Sequence, residues 1–350
     1  MDTDAIEGAL LGCAVGDALG LRYEGLSPRR AARLLGEPDR HRLLMGLGMV
    51  SDDTEHTCMV AQALCEAPRD AEAFARALAR RMRWWLLGLP AGAGLSTARA
   101  ALRLCLGIPP CRSGVFSAGN GPAMRSAILG AAVADLALLR RFVRASTRLT
   151  HTDPKAEEGA LAVALAAWCA RRGIETAGRF LEHHAGATQG DGGGEMPALL
   201  ARVAASVQVG GSTTEFAVAL GCERGVSGYV LQTVPVALHA WLSHPRDYRS
   251  AVLATIRCGG DADTTAAIAG SIVGSGIGRS GIPADWMQGL LAWPRSVAWM
   301  RRLAESAAEA RATGRPAPAP PLIPGATLAR NLFFLAVVLC HGFRRLLPPY

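Results

Sequence analysis

Ile6 to Leu21 reads I-E-G-A-L-L-G-C-A-V-G-D-A-L-G-L, with Gly8, Gly12, Gly16 and Gly20 spaced every four residues. Residues four apart lie on nearly one face of a helix, so this spacing predicts a helix with a ridge bare of side chains. Thr264 to Gly278 has the same texture, with Gly270, Gly274 and Gly278. Each glycine inside a helix costs about 1 kcal/mol relative to alanine. Close approach of two site-bearing helices along their bare ridges is the expected compensation. Small residues four apart also mark membrane helix pairs. These runs are short and carry or adjoin Glu7, Asp17 and Asp263, which argues against that alternative.

The remaining chain extends the helical reading. Helices are predicted over Thr54 to Glu66, Asp70 to Leu87, Gly121 to Leu139, Lys155 to Arg171, Gly228 to Trp241 and Pro245 to Arg257. Gly-rich loops are expected at 88–94 (GLPAGAG), 190–195 (GDGGGE) and 209–215 (VGGSTTE). No stretch shows a period-two strand pattern. Half the 350 residues are apolar, ample for a sizeable core. The expected fold is all-α, a compact single-domain multi-helix unit over residues 1–300, with function on its loops. Residues 301–330 read as a charged helix and a Pro-rich linker. Residues 331–350 form an apolar C-terminal segment. Its run Leu332 to Cys340 is too short to span a bilayer, so it either docks on its own protein or contacts a membrane surface or partner, with Arg344 and Arg345 at the edge.

The formal charge is +8, carried almost wholly by arginine, since Lys155 is the only lysine. Arginine forks match phosphate oxygens. The arginines are scattered and none alternate with aromatics, so no nucleic-acid partner is expected. The nine cysteines form no Cys-x-x-Cys pair and sit mostly in apolar runs. They read as reduced core thiols of a cytoplasmic protein. The acidic start MDTDAIEGALLG lacks the basic region of a secretory signal.

Two clusters carry chemistry. Ser51-Asp52-Asp53-Thr54 places two adjacent carboxylates and two hydroxyls at a helix start. One acid is enough to cap a helix. Two repel each other, and a divalent cation offsets the repulsion. Gly259-Gly260-Asp261-Ala262-Asp263-Thr264 opens a second helix, with glycines that let backbone approach a ligand. Carboxylates and hydroxyls without His or Cys are hard oxygen donors, suited to Mg²⁺, Mn²⁺ or Ca²⁺ and not to zinc. Brought together by the fold, the clusters have the composition of a two-metal hydrolytic site. Weaker candidates are Asp17 and Glu24 around the first helix end, the turn Gly119-Asn120-Gly121-Pro122, and His151-Thr152-Asp153-Pro154.

In their order along the chain these segments resemble the ADP-ribosylglycohydrolase family. The matching segments are G-A-L-L-G-C-A-V-G-D-A-L-G from Gly8, Glu24, S-D-D-T from Ser51, G-N-G-P-A-M-R from Gly119, H-T-D-P from His151, G-Y-V-L-Q-T from Gly228, G-G-D-A-D-T-T-A-A-I-A-G from Gly259 and I-P-A-D-W from Ile282. The resemblance covers roughly residues 5–295. It implies an all-α hydrolase with two Mg²⁺ or Mn²⁺ ions, bound by Ser51, Asp52 and Asp53 from one side and Asp261, Asp263 and Thr264 from the other. It places ADP-ribose at Gly119, Asn120, Gly121 and His151, with Tyr229 as a wall. The implied reaction releases ADP-ribose from a protein side chain, arginine first. Asp53 or Glu24 would be the acid-base carboxylate. A small ADP-ribose conjugate is the alternative substrate, and a non-catalytic binding or structural relative the alternative role. Ser51 stands where Thr is usual, Ala262 where Thr is common, and the Pro-rich tail lies beyond the family core.

Overall fold

The computed structural model describes residues 2–189, 194–323 and 325–345. The helices run α1 (Asp2–Gly20), α2 (Pro28–Leu35), α3 (Asp52–Glu66), α4 (Ala71–Leu87), α5 (Leu95–Cys105), α6 (Gly121–Met124), α7 (Ala127–Ala132), α8 (Leu136–Arg148) and α9 (Pro154–Ala170). They continue as α10 (Ala177–Ala187), α11 (Met196–Gln208), α12 (Thr213–Ala219), α13 (Val230–Ser243), α14 (Tyr248–Arg257), α15 (Ala262–Ile277), α16 (Ala284–Gln288), α17 (Val297–Thr313) and α18 (Ala326–Arg345). Among the described residues there is no named strand, only isolated bridges between loops. The fold is all-α and one domain.

The glycine ridges do what their spacing predicts. α1 and α15 run antiparallel at the centre, Gly8 against Gly274, Gly12 against Gly270 and Gly16 against Ala266. A Cβ at any of those three α1 glycines would overlap the facing carbonyl oxygen. Ser271 Oγ and Tyr248 Oη donate to the carbonyls of Ala9 and Gly12, at 2.9 and 2.6 Å. The antiparallel register matters for the site: the end of α1 carrying Asp17 lies beside the start of α15, where Gly20 faces Asp263. Around this pair the core is nearly continuous, including Phe74, Trp85, Phe142, Trp241 and Trp286.

Several boundaries differ from expectation. The helix expected over Gly121 to Leu139 is three: α6 ends at Met124, α7 at Ala132, and Asp135 caps α8 by accepting from Leu138 N at 2.6 Å. Part of the expected loop at 209–215 is helical, because Ser212 and Glu215 form a capping box that starts α12 at Thr213. Most of the expected loop at 190–195 lies outside the described residues. Asp70, Asp153 and Asp247 act as N-caps: the first and last start their helices one and three residues later than expected, while Asp153 starts its helix one residue earlier, at Pro154.

The C-terminal segment also differs. Its helix starts at Ala326, well before the apolar run, and so is long and apolar enough by length and composition to cross a membrane. The length argument against a span therefore does not hold. In the structure one face of α18 docks on the protein. Phe334 and Val337 pack with Leu21, Leu43 and Met49 in a small second core. Arg330 and Asn331 are buried, while Leu332, Phe333, Leu339 and Phe343 face outward.

Candidate active site

The turn before α3 is built around Asp17. Its carboxylate accepts from Ser51 N at 3.0 and 2.8 Å, from Thr54 N at 3.2 Å and from Thr54 Oγ1 at 2.5 Å. Ser51 is the N-cap of α3, accepting from Asp53 N at 3.2 Å, and its hydroxyl donates to Asp53 Oδ2 at 3.1 Å. Thr264 Oγ1, from α15, donates to that same Asp53 Oδ2 at 3.1 Å. The two clusters, 211 residues apart at this contact, are thus joined directly. One carboxylate oxygen from each of Asp17, Asp53 and Asp263 lies within 4.8 Å of the others.

The second cluster is set by backbone bridges. Gly25 N donates to Gly260 O and Gly260 N to Leu26 O, both at 2.8 Å, while Asp261 N donates to Val226 O at 2.7 Å. Gly259 and Gly260 have φ of 64° and 75°, a conformation glycine adopts without strain. A Cβ on Gly260 would also strike Val226. The glycine pair is therefore what lets three loops meet behind Asp261. Asn120 Nδ2 donates to Asp261 Oδ2 at 2.7 Å and to Thr233 Oγ1 at 3.0 Å.

These residues border a cavity of about 560 Å³. Ser51, Asp52, Asp261, Asp263 and Thr264 line one part and Glu24 stands with them, exposed to solvent. Gly119, Asn120, Gly121, His151 and Gly228 line another. Leu21, Leu95, Phe334 and Val338 add an apolar side. No arginine or lysine lines it among the described residues. Asp53 lies just beneath, 1% exposed.

Tyr229, expected as a wall, contributes through its backbone, bridging Gly119. Its ring is half-exposed and its Oη accepts from Lys155 Nζ at 3.2 Å. His151 is buried, with Nδ1 2.9 Å from Thr150 Oγ1. Burial, helped by nearby Arg125, lowers its pKa to about 3, so its imidazole is neutral near pH 7. Arg125 is itself fully buried and bonds Ser146 O, Thr150 Oγ1 and Gly121 O at 2.9, 2.7 and 3.2 Å. It ties the loop before His151 to the Gly119–Gly121 turn, and burial brings its pKa down to about 9.

Electrostatics favour a cation. Burial raises the pKa of Asp52, Asp53 and Asp263 well above the ordinary range, and the surrounding carboxylates add to the rise. Asp17 is raised to about 6 by burial, against its four hydrogen bonds. Asp53 Oδ1 and Asp263 Oδ1 are buried without a hydrogen-bond partner. Buried polar atoms of this kind demand a partner, and oxygen donors without His or Cys fit a hard divalent ion.

A helical domain with a carboxylate-walled cavity at the meeting of two helix starts is the setting in which comparison with known proteins identifies a hydrolase of the ADP-ribosylglycohydrolase class. The family model for ADP-ribosylglycohydrolase matches residues 2–317, and the chain belongs to that family. It is 30% identical over 300 residues to the ADP-ribosyl-[dinitrogen reductase] glycohydrolase of Rhodospirillum rubrum, covering 82% of this chain and 90% of the other. It is 32% identical over 294 residues to an uncharacterized protein of Archaeoglobus fulgidus, covering 80% and 90%. ADP-ribosylhydrolase ARH3 of Gallus gallus is 25% identical, covering 80% and 87%. A solved chain described as an ADP-ribosylglycohydrolase-related protein complex superposes with a TM-score of 0.65 at 28% identity, covering 89% of this chain and 99% of that one.

Proposed function

We propose that this enzyme removes mono-ADP-ribose from protein side chains, arginine first, with two Mg²⁺ or Mn²⁺ ions held by Asp52, Asp53, Asp261 and Asp263. The observation that carries the reading is the pair of partnerless buried oxygens, Asp53 Oδ1 and Asp263 Oδ1, on two carboxylates whose oxygens come within 4.8 Å of each other. The Thr264 and Ser51 hydroxyls complete the donor set. Ser51 Oγ is already engaged with Asp53, so its part is to steady that carboxylate as much as to ligate. Divalent ions held there would supply positive charge toward the ribose hydroxyls and an attacking water.

The protein's own groups do the rest. Asn120 fixes the rotamer of Asp261. The neutral imidazole of His151 and the bridged turn Gly119–Gly121 offer uncharged contacts for the nucleotide. Glycosidic cleavage also needs a carboxylic acid at the leaving atom. Asp53 Oδ2 already receives two hydroxyls in a sealed position. Glu24 lines the cavity on its solvent side. We therefore assign proton transfer to Glu24. A protein substrate accords with the Rhodospirillum relative over most of the chain. The arginine linkage is supported by 36% identity over 84 residues to ADP-ribosylarginine hydrolase Tri1 of Pseudomonas putida, covering 24% of this chain and 20% of the other. Nine free thiols accord with a reducing, cytoplasmic setting.

The test is ADP-ribose release from an arginine-ADP-ribosylated protein, with Mg²⁺ or Mn²⁺ against EDTA and with Asp261→Asn alongside. Release that needs the cation and disappears in the variant is the expected result. Cation binding without release from this substrate would move the assignment to other linkages or to small ADP-ribose conjugates. Absence of both would end the metal-enzyme reading.

A further inference from the structure

The peptide unit between Val50 and Ser51 is gripped from both sides. Its N–H donates to the Asp17 carboxylate, at 3.0 and 2.8 Å to the two oxygens. Its carbonyl accepts from Arg330 Nη2, which comes from α18. A guanidinium on the oxygen and a carboxylate on the N–H both reinforce the peptide's own dipole, and charge-assisted bonds of this kind are the stronger class. The next residues along the chain are Ser51, Asp52 and Asp53. Arg330 therefore fixes the backbone that aims the first carboxylate cluster.

The grip is anchored deeply. Arg330 is 5% exposed and its Nη1 donates to Asn331 Oδ1 at 2.9 Å. It lies 3.7 Å from Glu55 Oε1 and covers the Phe334 ring at 4.5 Å. Glu55, one turn into α3, is also held by Arg295 at 2.8 Å and by Trp85 Nε1 at 2.7 Å. Asn331 Nδ2 donates to Gly88 O at 2.8 Å. Farther along the same helix, Phe334 and Val338 line the cavity. The α18 residues of this network, Arg330, Asn331, Phe334 and Val338, lie past residue 317, where the family match ends.

We infer that α18 is a working part of this active site: Arg330 is a positioning residue that presets the Ser51–Asp53 turn for a divalent cation, so that docking of α18 and cation binding reinforce each other. The inference rests on the cation reading proposed above. Linkage makes the effect reciprocal: if a docked α18 tightens cation binding, a bound cation tightens the docking of α18.

The full-length protein is titrated with Mn²⁺ by calorimetry, as wild type, Arg330→Met and Arg330→Lys, with melting of each in EDTA. Groups that orient ligand carboxylates are worth about 10- to 100-fold in metal affinity, and a loss in that range is expected for Arg330→Met. Arg330→Lys should recover much of it, since an ammonium can still donate to Val50 O although it lacks the fork. A lower melting point with unchanged Mn²⁺ affinity would mean a merely structural role and would overturn the inference. Hydrogen exchange of the wild type provides a second readout independent of variant folding. Mn²⁺ should slow exchange across residues 326–345, and no change there would count equally against it. A wild type that binds no Mn²⁺ would remove the cation reading itself, and this inference with it.

Discussion

Residue by residue, the acids divide by what they already hold. Asp17 has its oxygens filled with backbone and hydroxyl donors, so it organises the turn. Asp53 and Asp263 each keep one buried oxygen without a partner. Glu24 stands at the cavity wall in contact with solvent. Replacing Glu24 by Gln should lower kcat by about 10²- to 10⁴-fold, the usual worth of acid-base help, while Mn²⁺ affinity measured by calorimetry stays near wild type. A large loss of Mn²⁺ affinity in Glu24→Gln would instead make Glu24 a ligand. Asp52, Asp53, Asp261 and Asp263 stand out in the sequence because acids and hydroxyls cluster there without other chemistry, and the fold brings the two clusters to one cavity. The importance of Asp17 does not show in the sequence, because its partners are Ser51 and Thr54, more than thirty residues on, and only packing brings them together. Arg125 and Arg330 were hidden for a similar reason: among scattered arginines, nothing local distinguishes a buried one.

At the level of elements, the bare ridge between α1 and α15 explains why two long helices carry glycines that weaken each of them. Gly12→Ala should destabilise the protein by about 1–3 kcal/mol or more through overpacking, since its methyl would meet the Gly270 carbonyl. Gly178→Ala on exposed α10 has open space around it and should stabilise by up to about 1 kcal/mol. Denaturant melts of both variants give the comparison, and equal effects would deny the ridge its role. The four-residue spacing made this contact readable from the sequence. The break between α6, α7 and α8 was less so, because Ala- and Leu-rich stretches around Arg125 and Val133 keep helical texture. The Asp135 cap and the Ser212–Glu215 capping box were available signals, and both stand at helix starts that the apolar pattern alone did not separate.

For the molecule as a whole, the acid cluster sets a pH dependence. Asp17 titrates near 6 when folded against 3.8 as its ordinary value, and Asp52, Asp53 and Asp263 are shifted upward too. A carboxyl raised by folding ionises first in the unfolded chain. The cation-free protein should therefore lose stability as pH rises from about 4 through about 6 and beyond. Bound divalent ions hold the same groups ionised and reverse that sign. Melting in EDTA and in Mg²⁺ should show a larger Mg²⁺ gain at about pH 8 than at about pH 5. Equal gains at the two values would disconnect the cluster from cation binding.

The pairing of α1 with α15 also imposes an order in time. α1 has its partner far along the chain, in residues 262–277. At about 5–20 residues per second, α1 leaves the ribosome tens of seconds before the surface made to receive it exists. Through that interval its glycine stripe gives it little reason to stay helical, and Asp17 waits with it. α1 thus waits for α15 before it can settle, and the carboxylate cluster is assembled only once residues 262–277 have been made.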